Sequence, residues 1–272
     1  MNHNKVFTAL SEEAAFTSQI LKSGITQLAK ANYAMRGLYF VAFSSISLGI
    51  ERLGKLCILL DYYIHNECKF PNEEYIKKYG HDLNSLYLMS FEIAKRNTIE
   101  FEHPYPDTDI HKEIMRLLTA FAKGDRYANL NVLIKSSYHN DPISEWYYNV
   151  DEPLYNLRVS KRKKAVIQSN AQIIDMLAGS QILVRHTGED RKDIDSVKEA
   201  SLRTGKYEAV AKYRQLYVAQ IIRHWTDLLE SLADIARTLN SKEWDIPYLN
   251  EFFIIFGYPD SYLLTRKTYL DK

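Results

Sequence analysis

An acidic and a basic side chain, Glu51 and Lys55, stand one helical turn apart where a long uncharged stretch ends. A glutamate four positions before a lysine is the order that favours an ion pair on a helix. No charged residue lies between Arg36 and Glu51, so the pair interrupts an otherwise uncharged segment. Two interpretations are open. The pair lies at the solvated end of a core helix, or it faces a polar groove between helices.

The helix that carries this pair spans 37–64, and the rest of the chain is organised around it. Apolar and small side chains recur three or four positions apart along one face. The residues of this face are Leu38, Ala42, Ser45, Gly49, Leu53, Leu56, Leu60 and Tyr63. A neighbouring face is also apolar, and a helix of this kind is buried on most sides. The uncharged run is shorter than the roughly 20 residues that span a bilayer, so we predict a core helix and no membrane partner.

Sequence motifs for common cofactors and metals are absent. The chain has no GxxxxGK[ST], no GxGxxG, no GxSxG and no HExxH. One ExxH occurs, at Glu100–His103, but it lies beside prolines and lacks the second copy that a di-iron bundle needs. Cys57 and Cys68 are the only cysteines, and their spacing does not fit a zinc site. The sequence therefore predicts no metal and no cofactor.

Charge and the N-terminal sequence limit the compartment and the partners. The formal net charge of the 272 residues is +1, so the chain as a whole is not a polyanion binder, and nucleic-acid contact needs a local patch. A basic run at 161–164 is either a solvated helix start or a small phosphate-binding patch. The N-terminus has no apolar signal region. Together with the two cysteines, this predicts a cytoplasmic protein.

The elements that must position these residues are predicted to be helices throughout. Few glycines and prolines and the lack of strand alternation favour an all-α helical bundle, with helices predicted at 11–30, 37–64, 73–78, 81–95, 108–123, 129–135, 165–184, 207–239 and 248–256. Ser11 is the expected N-cap of the first helix, 97–107 is a proline loop, and 188–195 is a charged turn. The segment 136–158 is a hairpin-like excursion, a packed loop or a short connector. We place a domain boundary there, giving 1–140 and 141–272, with one continuous domain as the alternative.

Three stretches, in order, resemble the HEPN (higher eukaryotes and prokaryotes nucleotide-binding) family of helical bundles. Glu51-Arg-Leu-Gly-Lys55 is similar to the E-x(2,3)-K of an early HEPN helix. His81-Asp82-Leu83, with Leu86, is similar to the tHDLxxL that opens the next helix, and Asp125-Arg126-Tyr127 is similar to sRYp. The resemblance covers about residues 30–140. It implies a HEPN-like N-terminal half followed by additional long C-terminal helices.

The HDL-type members of this family often lack catalysis and act as nucleotide-binding or assembly modules. The resemblance then implies a polar groove for a nucleotide or RNA, lined by Glu51, Lys55, His81, Asp82 and Arg126. The family resemblance also implies a homodimer, because HEPN nucleases dimerise so that two Arg/His pairs share one cleft. The alternative for the same residues is a structural network in which Asp82 caps its helix and Glu51 pairs with Lys55 or Arg126.

Other HEPN members are metal-independent ribonucleases with R-x(4–6)-H, some of them toxins or phage-defence effectors. The matching residues here are Arg96, Asn97 and His103. In this role Arg96 would clamp the scissile phosphate, His103 would shuttle a proton, and Asn97 would orient either group. Departing from the family pattern, His103 precedes Pro104 in a proline loop. The alternative is that Arg96 is a helix C-terminal charge and His103 a loop residue.

Overall fold

The computed structural model describes residues 4–136, 140–239 and 245–270. The predicted all-α fold is confirmed, because helices account for most of the chain. The helices are α1 Lys5–Lys30, α2 Gly37–His65, α3 Glu73–Lys77, α4 Leu83–Arg96, α5 Asp109–Lys123, α6 Ala128–Leu133, α7 Pro142–Trp146, α8 Glu152–Arg158, α9 Lys161–Ala178, α10 Val197–Thr238, α11 Ile254–Gly257 and α12 Asp260–Leu263. Two short strands, β1 His186–Thr187 and β2 Asp193–Ile194, pair antiparallel.

The central helix is α2, and its predicted burial is confirmed. Its apolar side chains pack against α1, α4, α5 and α10. The approach of α1 is close because glycine is needed at the contact: a Cβ at Gly24 would lie 2.7 Å from Ile46, and one at Gly49 would lie 2.5 Å from Leu21. A side chain of each helix therefore packs directly against the backbone of the other, at Gly24 and at Gly49. This contact sets the short distance between α1 and α2.

The N-terminal boundary of α1 was predicted wrongly. The helix begins at Lys5, and Ser11 lies inside it. The cap is Asn4, whose side chain accepts a hydrogen bond from the Phe7 amide at 2.8 Å. Asparagine is as good an N-cap as serine. The helix therefore begins two turns earlier than the Ser11 cap predicted.

The segment 136–158, which the sequence predicted to be a hairpin-like excursion, a packed loop or a short connector, is mostly helical over 140–158; residues 137–139 lie outside the described residues. A π-helical turn at Tyr147–Asp151 joins α7 to α8. The buried Asp151 carboxylate accepts hydrogen bonds from Trp146 Nε1 at 2.9 Å and from Arg214 Nε at 2.7 Å and Nη2 at 2.6 Å. A buried charge needs such partners. Asparagine, aspartate and proline are typical of loops, but here Arg214 on α10 draws this segment into the core.

Several C-terminal boundaries also differ from the prediction. Helix α9 begins at Lys161 rather than 165 because Ser160 accepts a hydrogen bond from the Lys163 amide at 3.2 Å. Helix α10 begins at Val197 rather than 207 and continues through Gly205, where a Cβ would lie 2.6 Å from Ile167. This glycine permits helix packing and does not end the helix. The predicted turn at 188–195 belongs to the strand pair. The predicted helix 248–256 is a 3-10 turn at Leu249–Phe252 followed by α11.

One hydrophobic core contains residues from both 1–140 and 141–272. Helix α10 supplies the link, since it packs against α1, α2 and α5 from the first part and against α8 and α9 from the second. Within the described ranges, no helix combines the length and the apolarity that crossing a bilayer requires.

A buried histidine lies in the aromatic part of this core. His224 on α10 stacks on Phe101 with ring centroids 4.4 Å apart, and its Nε2 lies 2.8 Å from the Ser90 hydroxyl oxygen. That hydroxyl donates to the Tyr87 carbonyl at 2.6 Å, so the histidine nitrogen donates to the serine oxygen. Burial lowers the pKa of His224 to about 4. The side chain is therefore neutral at pH 7.

We expect acid to destabilise the fold through His224. Between its unfolded pKa of about 6.5 and its folded pKa of about 4, the unfolded chain binds a proton that the folded protein does not. The free energy of unfolding therefore falls as the pH drops, by about 2 kcal/mol from pH 7 to pH 5. Urea unfolding of the parent and of H224F at both pH values measures this effect. A variant with the same pH dependence as the parent would contradict the assignment.

Candidate functional site

Glu51 holds the centre of a polar cluster on the side of α2. Its side chain is 11% exposed. One oxygen accepts a hydrogen bond from Lys55 Nζ at 2.6 Å, and the other lies 2.8 Å from His81 Nδ1. An ionised carboxylate of this burial needs such partners, and here they come from its own helix and from the start of α4. The i,i+4 pair foreseen from the sequence is therefore present, with His81 as a second partner.

The backbone before α4 places His81 against α2. Gly80 adopts a left-handed conformation with φ of 53°, which reverses the chain after α3. Asp82 then caps α4 by accepting a hydrogen bond from the Ser85 amide at 3.2 Å. Its second carboxylate oxygen accepts from Lys123 Nζ at 2.6 Å, and this hydrogen bond is the main reason that the pKa of Asp82 lies below its ordinary value. Asp82 thus serves as a cap, as one of the two sequence interpretations expected.

A groove of about 230 Å³ opens beside this cluster. Its wall is made by α2, α5, the residue before α4 and the turn after α5, and it comprises Ser44, Ser47, Leu48, Glu51, His81, Phe121, Ala122 and Arg126. We call this the Glu51 groove. The structure therefore brings Glu51, His81 and Arg126 together around one cavity, with Lys55 bonded to Glu51. Asp82 lies alongside and is paired with Lys123.

Two acidic side chains at the Glu51 groove, Glu51 and Asp82, each have a cationic partner. Glu51 is neutralised by Lys55, and Asp82 by Lys123. Arg126 is exposed, and no carboxylate in the described part of the chain forms an ion pair with it. Its guanidinium instead lies over the Tyr127 ring at 5.1 Å. An exposed arginine at the rim of a polar cavity can bind an anion at little cost when it has no ion pair to break.

A second polar cluster lies where α2 ends and α4 ends. The Asp61 carboxylate is 5% exposed and accepts hydrogen bonds from Arg96 Nε at 3.1 Å, from Arg96 Nη2, and from Asn97 Nδ2 at 2.8 Å. His65 completes the cluster, since its Nε2 lies 3.1 Å from Asn97 Oδ1. The side chains of Arg96 and His65 are 49% and 41% exposed. We call this the Asp61 cluster.

His103 binds a different carboxylate from Arg96. Its Nδ1 lies 2.9 Å from Asp227 Oδ2 on α10. Burial raises the pKa of Asp227, and the contact with His103 opposes that shift. The proline loop turns His103 this way because Phe101 and Tyr105 pack around the His224 ring. Within one chain, the structure therefore ties Arg96 to the Asp61 cluster and His103 to α10.

Sequence reasoning did not single out Asp61, His65 or Lys123. One usable signal was present. An aspartate inside an apolar helix needs a partner if it is buried, and Asp61 lies inside the stretch that was predicted to be buried. His65 falls one turn after Asp61 on the same face. The identity of the partners depends on which helices meet, and that was not readable from the local pattern.

No group of three or more His, Cys, Asp or Glu side chains in the described part of the chain is arranged to hold a metal ion. No family model, no curated protein and no solved structure matches this chain. The functional interpretation therefore depends on the geometry of the Glu51 groove and the Asp61 cluster, together with the motifs described above.

We expect Arg96 to stabilise the fold through Asp61. Arg96→Gln leaves the buried carboxylate with Asn97 and with His65, whose Nε2 lies 3.8 Å from Asp61 Oδ1. The free energy of unfolding should fall by about 2 kcal/mol, less than for a fully buried pair because Arg96 is half exposed. In R96Q/D61N the buried carboxylate of residue 61 is gone as well, so part of the lost free energy of unfolding should be recovered. Urea unfolding of the two single variants and the double variant measures a coupling of about 1 kcal/mol. Strictly additive effects would contradict this pairing.

Proposed function

We propose that the chain is a HEPN-like helical module whose Glu51 groove binds a nucleotide or the end of an RNA. The observation that carries the proposal is the unpaired Arg126 at the rim of a cavity whose other charges, Glu51 with Lys55, cancel. His81 adds a positive charge to the groove whenever it is protonated. A role in phage defence or in a toxin–antitoxin pair belongs to the same proposal and rests on the family resemblance alone.

The groove has the composition that a small phosphorylated ligand needs. Leu48 and Ala122 provide apolar surface, and the hydroxyl groups of Ser44 and Ser47 lie on the same wall. Ligand pockets are mostly apolar with a few placed polar groups, and drug-sized ligands take about 300–1,000 Å³. A cavity of about 230 Å³ is smaller than this range. It suits one nucleoside phosphate, in which Arg126 binds the phosphate and the apolar wall contacts the base.

We expect Arg126→Gln to abolish stabilisation by a nucleotide. A ligand at 100 times its Kd stabilises the folded state by about 2.7 kcal/mol, and loss of the phosphate contact should remove most of that gain. Thermal unfolding with and without UMP or AMP measures the difference.

The matched control is Arg185→Gln, which removes an exposed arginine from the other part of the chain. It should keep the full shift. If neither nucleotide shifts the parent, or if both variants lose the shift equally, the proposed groove is not the binding site.

A second candidate function is metal-independent cleavage of RNA, and the Asp61 cluster favours it. That cluster places a half-exposed imidazole, His65, within one hydrogen-bonded network with Arg96 and Asn97. In this candidate Arg96 binds the scissile phosphate and His65 takes the role that the sequence motif gave to His103. The homodimer implied by the family resemblance belongs to this candidate, because a second copy would complete the cleft.

The ribonuclease candidate predicts that His65→Ala stops cleavage of a single-stranded RNA, since the proton carrier is removed, while His103→Ala changes the rate little. Gel assays in EDTA with equal amounts of folded protein measure the rates. If H103A alone loses cleavage, the proton carrier is His103 and not His65. If the parent cleaves no RNA, the ribonuclease function is excluded. If light scattering shows only monomers, the cleft cannot be formed by a dimer.

A further inference from the structure

The end of α8 and the first turn of α9 form a strongly basic stretch. Residues 153–174 contain five cations, Arg158, Lys161, Arg162, Lys163 and Lys164, and no carboxylate. Four of them occupy the first turn of α9, where the positive end of a helix disfavours cations. In the described part of the chain, none of the five forms an ion pair with a carboxylate. These five positive charges therefore lie close together in the fold without a carboxylate partner.

Aromatic rings lie against two of these cations and against Lys212 beside them. The guanidinium of Arg158 lies over the rings of Tyr213 and Tyr217, at 5.5 and 5.6 Å. Lys212 on α10 lies over Tyr213 at 5.0 Å, and Lys164 lies over Tyr155 at 4.8 Å. Cations stacked on tyrosines are partly ordered before any ligand arrives. Tyr155 and Tyr213 are half-buried, so part of each ring stays accessible to a base, whereas Tyr217 is buried and serves only to position Arg158.

Two open cavities flank α9 along its contact with α10. One, of about 370 Å³, is lined by Arg158, Val159, Ser160, Lys163, Glu208, Ala209, Lys212 and Tyr213. The other, of about 590 Å³, is lined by Tyr155, Lys164, Ala165, Ile167, Gln168, Ser169, Gln172, Leu202 and Lys206. Of the two carboxylates nearby, Glu152 is bonded to Lys206 at 2.9 Å, and Glu208 lines the first cavity. We call the cations and tyrosines around α9 the α9 basic surface.

We propose that the α9 basic surface binds the phosphodiester backbone of single-stranded RNA. Cations that follow a groove, interleaved with aromatic rings on which bases can stack, are the features that bind single strands without reading sequence. Exposed apolar residues farther along α9, such as Met176 and Leu177, would also suit a lipid surface. Nucleic acid is favoured because the cations converge on tyrosine-lined cavities and not on that apolar face. This site lies away from the Glu51 groove and does not depend on the function proposed for the groove.

The test is fluorescence anisotropy with a labelled oligouridine of about 12 nucleotides, a length within the usual span of single-strand sites, titrated at several salt concentrations. We expect K163Q/K212Q to weaken binding roughly tenfold or more. The slope of log affinity against log salt should fall by about 1.4, since each lost phosphate contact contributes about 0.7. K161Q/R162Q, in the exposed first turn of α9, should weaken RNA binding and lower the salt slope in the same way. Agreement between the two double variants would show that the loss does not come from a local folding defect in one of them.

The matched control is K5Q/K267Q, which removes two exposed lysines outside the α9 basic surface and should keep the parent affinity within twofold. R126Q should also keep it, so failure here is distinguishable from failure of the Glu51 groove. Three results would each overturn the proposal: equal weakening by K163Q/K212Q and K5Q/K267Q, no RNA binding at low salt, or binding to phosphatidylserine vesicles without binding to RNA.

Discussion

The burial of two carboxylates on the central helix is the constraint that shapes the N-terminal part of this protein. Glu51 and Asp61 are both buried on α2, and an ionised carboxylate in that position is stable only with hydrogen-bonding or charged partners. The partners come largely from later segments: His81 for Glu51, and Arg96 with Asn97 for Asp61. Helix α4 is therefore pinned to α2 at both of its ends. The Glu51 groove and the Asp61 cluster lie where the exposed partners of these two carboxylates meet solvent.

The part of this arrangement that follows from local sequence was predictable. The apolar period of α2, the cap at Asp82 and the i,i+4 pair of Glu51 with Lys55 each depend on residues within a few positions of one another, and each is present in the structure. The pairing of Asp61 with Arg96 depends on which helices meet, so spacing gave no access to it. Segment 136–158 was missed for the same reason, since Asp151 is buried by Arg214, more than sixty positions away.

The overall charge of the chain conceals how its charges are distributed. A formal net charge of +1 suggests no anionic partner. Yet several charges in the N-terminal part are paired, while the five cations at 158–164 form no ion pair within the described residues. Paired charges mainly hold helices together, whereas unpaired cations remain available to a ligand. The same distinction separates Arg96, which is engaged by Asp61, from Arg126, which is not. Pairing, more than residue type, indicates which basic side chains are free to bind an anion.

The central claim is that the Glu51 groove is the nucleotide site, and chemical-shift mapping with UMP on isotopically labelled protein tests it most directly. Binding changes the shielding of nuclei close to the ligand. The account predicts that the largest shifts fall on backbone amides at 44–55, 80–82 and 121–127, and on the Arg126 side chain. Shifts confined to 158–164 and 206–213, or no shifts at saturating UMP, would contradict it.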